Sequence, residues 1–320
     1  MNFKEKSCLD CQISIIIPVY NGEKTLKACL ESIFACKEII YEVILIDDGS
    51  TDNTLSIAEK YPCKIIKLDK NMGRSFARNR GMEASSSNYI LFTDSDCIVC
   101  DNWINIALNT FKEQQKKDNL LSAMEGRILP LKGFINKCDA FAGYGYNQNL
   151  KGRYHMHFCT ANLIADKEKI IEAGCFNEDI RDIEDQDLGY RLLEKGYQLF
   201  YEPSFSVIHN HTRNSFRYFL KHYYDWGKSL GNFFDIRYKN LRKVPFSYFL
   251  NNIAFYFLMI PVFSFFISAK IIWINYSYDW SVIFLFPFIF LSKIAYRIGA
   301  LEFMKNKNIN KLLKKQKESS

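Results

Sequence analysis

The sequence predicts an α/β fold: a mostly parallel, doubly wound sheet flanked by helices, followed by a C-terminal helical hydrophobic hairpin. Three observations predict it. Short continuous apolar runs recur at close spacing through residue 115, each stopped by a polar or glycine-bearing turn. Segments of helical period alternate with them, which is the order of a parallel sheet wound by crossover helices. Further on, the stretches 253–269 and 281–292 carry no charged residue.

Each element follows from its own residues. Ile13 to Val19 is an unbroken apolar run ending at Pro18-Val19 and reads as a strand buried on both faces. The turn Tyr20-Asn21-Gly22 follows. Leu26, Leu30 and Ile33 give 23–34 a helical period. A second strand spans 42–46 and breaks at Asp47-Asp48-Gly49-Ser50, before a helix over 51–60. A third strand spans 63–68. Asn71-Met72-Gly73 turns into a helix over 75–85, and a fourth strand over 89–93 stops at Asp94-Ser95-Asp96. A helix spans 103–115. Beyond it the spacing predicts strands over 122–129 and 158–165, short helices over 167–173 and 182–194, and short strands over 198–201 and 206–209. The Gly- and Tyr-rich stretch 134–149 reads as a mobile loop.

In a doubly wound sheet, ligands bind at the carboxyl ends of the strands, near the switch in strand order. Tyr20-Asn21, Asp47-Asp48 and Asp94-Ser95-Asp96 all fall at such ends. Topology alone therefore brings three polar clusters to one edge.

The chain of 320 residues divides by this reading into a catalytic domain at 1–211, basic aromatic interfacial helices at 212–250, two membrane-inserted or interfacial hydrophobic helices at 251–300, and a basic tail at 301–320. With their flanks, the two apolar stretches approach the roughly 20 residues that span a bilayer. Arg237, Lys239, Arg242 and Lys243 precede the first; Lys293, Arg297 and a lysine-rich tail follow the second. Basic residues outside both ends predict that both ends face the cytoplasm. The net charge of +7 is modest, and its clustering after Arg213 and Lys293 suits an anionic membrane surface rather than a nucleic-acid groove. Residues 1–12 carry mixed charges and no leader-like run, which predicts a cytoplasmic catalytic domain. The ten cysteines accordingly read as reduced thiols, including the pairs Cys8/Cys11 and Cys97/Cys100.

The clusters carry recognisable chemistry. Asp94 and Asp96, one residue apart after a buried strand, can share a hard cation that leaves positions open for phosphate oxygens. Asp48 can accept a hydrogen bond from a nucleotide base, while Ser50 and Asp52 supply helix-start chemistry. Arg74, Arg78 and Arg80 near a helix start suit phosphate. Glu184-Asp185-Gln186-Asp187 offers a general base or an acidic first helical turn. His209, after a short strand, can complete a metal site.

Together these motifs resemble family 2 glycosyltransferases. The resemblance rests on Ser14-Ile-Ile-Ile-Pro-Val-Tyr-Asn-Gly22, Val43-Ile-Leu-Ile-Asp-Asp-Gly-Ser-Thr-Asp52, Asn71-Met-Gly-Arg-Ser-Phe-Ala-Arg-Asn-Arg-Gly81, Phe92-Thr-Asp-Ser-Asp96 and Glu184-Asp185, in family order over roughly residues 12–211. It implies the GT-A fold, an enzyme, and an inverting single displacement from a nucleotide-sugar donor, a UDP-sugar being favoured. It implies magnesium or manganese on Asp96, Asp94 and His209. Asp185, with Glu184, would be the catalytic base. Pro18, Tyr20, Asn21, Glu23, Asp48, Gly73, Arg78, Asp94 and Ser95 would bind the nucleotide sugar. The Gln-x-x-Arg-Trp motif of processive polymerases is absent, so transfer of a single sugar is expected. The acidic site beside a basic, aromatic, apolar tail makes a lipid-linked or surface glycan at the cytoplasmic face of the membrane the expected acceptor. Two alternatives differ in class: a catalytically inactive membrane-tethered scaffold of the same fold, and a sugar nucleotidyltransferase. The latter should show a Gly-rich basic loop after the first strand, where Tyr20-Asn21-Gly22-Glu23 stands instead.

Overall fold

The computed structural model describes residues 13–36, 41–143, 152, 158–180, 182–210, 215–237, 253–277 and 279–318. Cys8, Cys11, His211 and the end of the 134–149 stretch lie outside them. The chain forms two compact units: 1–131 with 147–211, and 132–146 with 212–320.

The first unit contains an eight-stranded sheet of order β3-β2-β1-β4-β7-β6-β8-β5. Its strands are β1 Ile13–Val19, β2 Tyr41–Asp47, β3 Lys64–Lys67, β4 Tyr89–Thr93, β5 Cys97–Val99, β6 Leu121–Pro130, β7 Asn162–Asp166 and β8 Gln198–His209. Helices α1 Leu26–Phe34, α2 Thr54–Ala58, α3 Arg74–Ala84, α4 Trp103–Lys117, α6 Lys167–Glu172 and α7 Glu184–Glu194 flank it; α5 Phe134–Gly143 belongs to the second unit.

The parallel half matches the sequence reading. β1 pairs in parallel with β2 and β4, and β2 with β3. Ile15, Ile16 and Ile17 of β1 are fully buried, as the unbroken apolar run requires. The order reverses at β1, which places the switch point between β1 and β4. The other half is mixed. β7 runs antiparallel to both β4 and β6, and β5 runs antiparallel to β8. Polar residues inside this half are partnered: the buried Asn162 accepts from Trp103 Nε1 at 2.8 Å and donates to the Arg127 carbonyl at 2.9 Å.

Several expectations change. The two short strands at 198–201 and 206–209 are one strand, β8, with an irregularity opposite Gly126/Arg127 that absorbs Pro203. β5 is a further strand, directly after Asp96. The first part of the expected loop 134–149 is helix α5.

Helix α3 lies unusually close to the sheet because of Gly81. A Cβ there would come within 2.6 Å of Ile16 Cγ2 and 2.8 Å of Ile46 Cδ1. Gly81→Val is therefore expected to push α3 off β1 and β2 and cost on the order of 1–3 kcal/mol. Thermal unfolding of the variant checks this; an unchanged melting temperature would show that the contact yields freely.

The second unit comprises α5, α8 Phe216–Arg237, α9 Ile253–Asn275, a 3₁₀ turn at Trp280–Leu285 and α10 Phe286–Glu318. Its core joins Cys138 and Phe141 of α5, Phe219 and Tyr223 of α8, Ile271 of α9 and Ile289 of α10. α8 crosses α10 at two glycines. A Cβ on Gly227 would fall 1.8 Å from the Tyr296 carbonyl oxygen, and one on Gly299 would fall 2.0 Å from that of Tyr224. The residues expected to form a basic tail after 300 continue α10 to Glu318.

Candidate active site

The loops leaving β1, β2 and β3 are laced into one wall. Asn21, in the left-handed region at φ 51°, donates its N–H to Ser50 Oγ at 2.9 Å and accepts from the Thr51 N–H at 2.9 Å. The Gly22 N–H donates to Thr54 Oγ1 at 2.8 Å, and the Glu23 N–H to Asp52 Oδ2 at 3.1 Å. The Glu23 carboxylate accepts from Asn53 through both its N–H and its Nδ2. Asn21 and Glu23, read from sequence as donor ligands, are thus engaged in holding the β1 and β2 loops together.

Asp48 does the same for the next loop. It is 3% exposed, and its two carboxylate oxygens accept the Met72 N–H at 2.7 Å and the Gly73 N–H at 2.9 Å. Gly73 (φ 97°) precedes the first residue of α3, and its conformation is what lets both amides face one carboxylate. Each oxygen keeps a second lone pair for a base N–H. Gly49 (φ 72°) packs directly on this loop; a Cβ there would meet the Lys70 carbonyl carbon at 2.6 Å. Pro18 is buried in β1, while Tyr20 just beyond it is 49% exposed, leaving its ring free for stacking.

Arg78 is where the structure departs most from the sequence reading. That reading makes it a nucleotide ligand, yet its side chain is 1% exposed. Nη1 donates to Glu184 Oε1 at 2.5 Å and Nη2 to Asp94 Oδ1 at 2.9 Å. One buried guanidinium thus ties the end of β4 to the start of α7. Arg74, one turn earlier on α3, ion-pairs with Asp182 and lies 3.9 Å from Glu184. Sequence reasoning read Arg74 only as one of three arginines suited to phosphate and did not single out Asp182; the i, i+4 spacing of Arg74 and Arg78 was the available signal that the two act together.

This strut brings Glu184-Asp185 to Asp94-Ser95-Asp96, a proximity that spacing could not show. Asp94 and Asp185 also both raise the half-buried Cys159 thiol, whose main perturbation is desolvation. Glu184 is 2% exposed, and its Oε1 meets both Arg78, at 2.5 Å, and Arg74, at 3.9 Å. Asp185 is only partly buried. Burial, reinforced by the Glu184 charge, pushes its carboxyl up to about 7, against the opposing influence of Arg78, the Gln186 N–H and Arg74. A carboxylate poised near neutrality suits a general base. The preceding residue, Ile183, is β-branched yet has φ 69°, a strained conformation beside the functional pair.

A donor set for a cation lies across β5 and β8. Antiparallel pairing sets Cys97 opposite His209, and His209 Nε2 is 3.3 Å from Asp96 Oδ2. The ligand atoms of Asp96, Cys97 and His209 all lie within 4.8 Å of one another. Burial, then the Asp96 and Asp94 charges, raise the Cys97 thiol well above its ordinary range, and a hard cation takes oxygen ligands before sulfur. The carboxylate and imidazole remain, a set that fits manganese or magnesium with positions open for phosphate. Asp94 points its Oδ1 at Arg78 instead, and Ser95 is half-buried beside Gly22.

Residues 14–171 match the family described as Glycosyl transferase family 2, and this domain of the chain belongs to that family. The uncharacterised glycosyltransferase YibD of Escherichia coli K12 is 40% identical over 89 residues, 27% of this chain and 26% of the relative, so the chain matches about a quarter of that relative's length. The glycosyltransferase AglE of Haloferax volcanii is 26% identical over 224 residues, 68% of this chain and 72% of the relative. Among solved structures, S. aureus TarS 1–349 in complex with UDP is similar at a TM-score of 0.51 and 17% identity, covering 92% of each chain. The mannosyltransferase PcManGT of Pyrobaculum calidifontis, in complex with GDP-Man and Mn2+, gives 0.53 and 17%, covering 73% of this chain and 66% of that one. The sheet and its flanking helices are the GT-A fold.

Proposed function

We propose, from membership of Glycosyl transferase family 2, that the chain is an inverting, metal-dependent glycosyltransferase. It moves one sugar from a nucleotide-sugar donor, a UDP-sugar in the first instance, to a lipid-linked or surface-glycan acceptor at the cytoplasmic face of a membrane. The observation that carries this reading is the Arg78 strut, which joins the acidic end of β4 to the acidic start of α7 through two hydrogen bonds. Two carboxylate motifs 90 residues apart in sequence thereby serve one reaction centre. The UDP and GDP-Man complexes of structures with this fold support a nucleotide-sugar donor.

Asp185 takes the proton of an acceptor hydroxyl, and the hydroxyl oxygen attacks the anomeric carbon on the face opposite the diphosphate. The bond from that carbon to the diphosphate oxygen breaks, and the nucleoside diphosphate leaves with the electron pair. Magnesium or manganese held by Asp96 and His209 would neutralise charge on the departing diphosphate. Tyr20 stacks on the base and Asp48 accepts its N–H, in a wall already rigid through the loop hydrogen bonds. Arg78 and Arg74 keep the four surrounding carboxylates, Asp94, Asp182, Glu184 and Asp185, from repelling one another apart.

The test is a thermal-shift panel of nucleotide sugars with and without manganese. The melting temperature is expected to rise most when donor and metal are present together, because each binds only the folded state. No rise with any common nucleotide sugar would overturn the reading in favour of a membrane-tethered scaffold. In the same assay, His209→Ala is expected to weaken manganese by roughly 10–100-fold, at least the effect of losing a metal-supporting group. An unchanged manganese midpoint would remove His209 from the metal set.

A further inference from the structure

The second unit contains two helical segments long and apolar enough to cross a membrane, Phe257–Asn275 and Trp280–Phe303, of which only 22% and 28% is buried. Their polarity is inverted. On α9 the buried side is Ile260, Ser264, Ser268, Ile271 and Asn275, whereas the outward side is Leu258, Val262, Phe265, Phe266 and Trp273, with one charged residue, Lys270, near its end. Leu258 is 75% exposed and Trp273 84%. Two of the three buried polar side chains are satisfied within the helix: Ser268 donates to the Ser264 carbonyl and Asn275 to the Ile271 carbonyl, both at 2.7 Å, while the buried Ser264 hydroxyl has no partner among the described residues. Ser292 of α10, also buried, donates to the Ile289 carbonyl. Small polar residues inward and large apolar residues outward is the pattern of helices that face hydrocarbon.

The other side of the second segment is covered by charged elements. Lys137 of α5 ion-pairs with Asp279 in the turn between the two segments and donates to Ser281 Oγ at 2.7 Å. Lys293 Nζ donates to the Ala142 carbonyl at the end of α5. Lys228 of α8 pairs with Glu302 at 3.2 Å, and the exposed Lys221–Asp225 pair lies one turn earlier on the same helix. A hairpin standing across the bilayer would carry these charges through its full depth, where ionisable groups are strongly disfavoured. It would also take Asp279, and Lys137 with it, to the far side. Lys137 is seven residues beyond Pro130, the end of β6. Seven residues reach at most about 25 Å fully extended, short of the roughly 30 Å hydrocarbon core.

We infer that the hairpin does not span the membrane: it lies in the plane of one leaflet, with the outward face of α9, Trp280 and Phe284 immersed and α5 and α8 on the aqueous side. The occupant of this apolar face is an anionic lipid surface. Lys305, Lys307, Lys311, Lys314, Lys315 and Lys317 follow the immersed segment against only Glu302 and Glu318, a charge balance that complements acidic headgroups. This rests on the membrane location proposed above and narrows it to one leaflet and one lipid class.

Two measurements on the full-length chain test it. In the first, Tyr276→Cys and Trp280→Cys variants are treated with a membrane-impermeant maleimide in intact cells, with the wild-type chain as background. Labelling above background is expected only after detergent solubilisation; labelling in intact cells would overturn the in-plane arrangement in favour of a spanning hairpin. In the second, the purified protein is floated with phosphatidylcholine vesicles, with or without phosphatidylglycerol. Binding is expected to be at least tenfold stronger with the anionic lipid, and to be lost in a Leu258→Glu, Phe266→Glu, Trp273→Glu variant that still releases nucleoside diphosphate. A detergent-free dimer that ignores both vesicle types would overturn the proposal and assign the face to a second copy of the chain. Loss of nucleoside diphosphate release in the wild-type chain would instead count against the enzymatic reading alone.

Discussion

Replacing Asp185 with asparagine is expected to stop sugar transfer while making the protein more stable. Losing a general base costs about 10²–10⁴ in rate, and asparagine keeps the shape without the proton affinity. The stability gain follows from linkage. An aspartate has a pKa of about 3.9 in the unfolded chain, while burial and the Glu184 charge push Asp185 up to about 7 in the fold. A raised folded pKa means that the folded state binds more protons between those values. Its stability relative to the unfolded state is therefore greatest below about pH 4 and falls as pH rises through 7. The substituted amide does not titrate and has no such dependence. The variant should melt a few degrees above wild type at pH 8, a difference on the order of 1–3 kcal/mol that shrinks toward pH 5. The wild-type rate should climb with pH through about 7 as the carboxyl loses its proton. Paired melting curves and a pH–rate profile check this. A variant that melts lower than wild type at pH 8 would show that Asp185 is a structural carboxylate.

Arg78→Met is expected to have the opposite signature, losing both activity and stability. Methionine fills the space but leaves Glu184, 2% exposed, and Asp94 without their shared cation. Removing one partner of a buried ion pair costs about 3–5 kcal/mol. It also separates the two motifs that the guanidinium holds together, with a loss of at least about 10² in rate, since misplacement by an ångström is enough for that. Because Arg78 holds the Asp185 carboxyl down, its removal should also move the pH–rate midpoint upward. A ligand that merely touched phosphate would weaken donor binding without moving that midpoint. Arg78→Lys should recover little, because one ammonium cannot make both the Glu184 and Asp94 hydrogen bonds in fork geometry.

The legible parts of the molecule were those fixed locally. β1, β2 and β4 announced themselves as apolar runs because a parallel strand is buried on both faces, and their ends located the polar clusters. The mixed half was not legible. β5 is three residues long and exists through its pairing with β8, a tertiary contact with no local period. The glycine and tyrosine content of 134–149 reads as a loop, yet Cys138 and Phe141 of α5 pack into the core of the second unit. At the site, the sequence marked Asp96, Asp185 and His209 as chemistry-bearing residues and read Arg78 as a nucleotide-sugar ligand, while the structure has its guanidinium buried between Glu184 and Asp94. Residue type says that arginine suits phosphate; only burial says that its two donors are already taken. The strain at Ile183 was equally invisible, since nothing in an isoleucine signals a left-handed backbone. Likewise, counting charges in 253–269 and 281–292 found the apolar helices, while the inverted placement of Ser264 and Ser268 emerged only in three dimensions.

The central claim is that Asp96 and Asp185, whose neighbours Asp94 and Glu184 are tied together by Arg78, run one metal-dependent transfer reaction. Release of nucleoside diphosphate from a panel of nucleotide sugars, with manganese or with chelator, tests it most directly when wild type is compared with Asp96→Asn and Asp185→Asn. Release is expected from wild type with manganese for at least one donor, with loss in chelator and in both variants while each variant remains folded by its melting curve. Release that persists in chelator, or in either folded variant at the wild-type rate, would contradict the account.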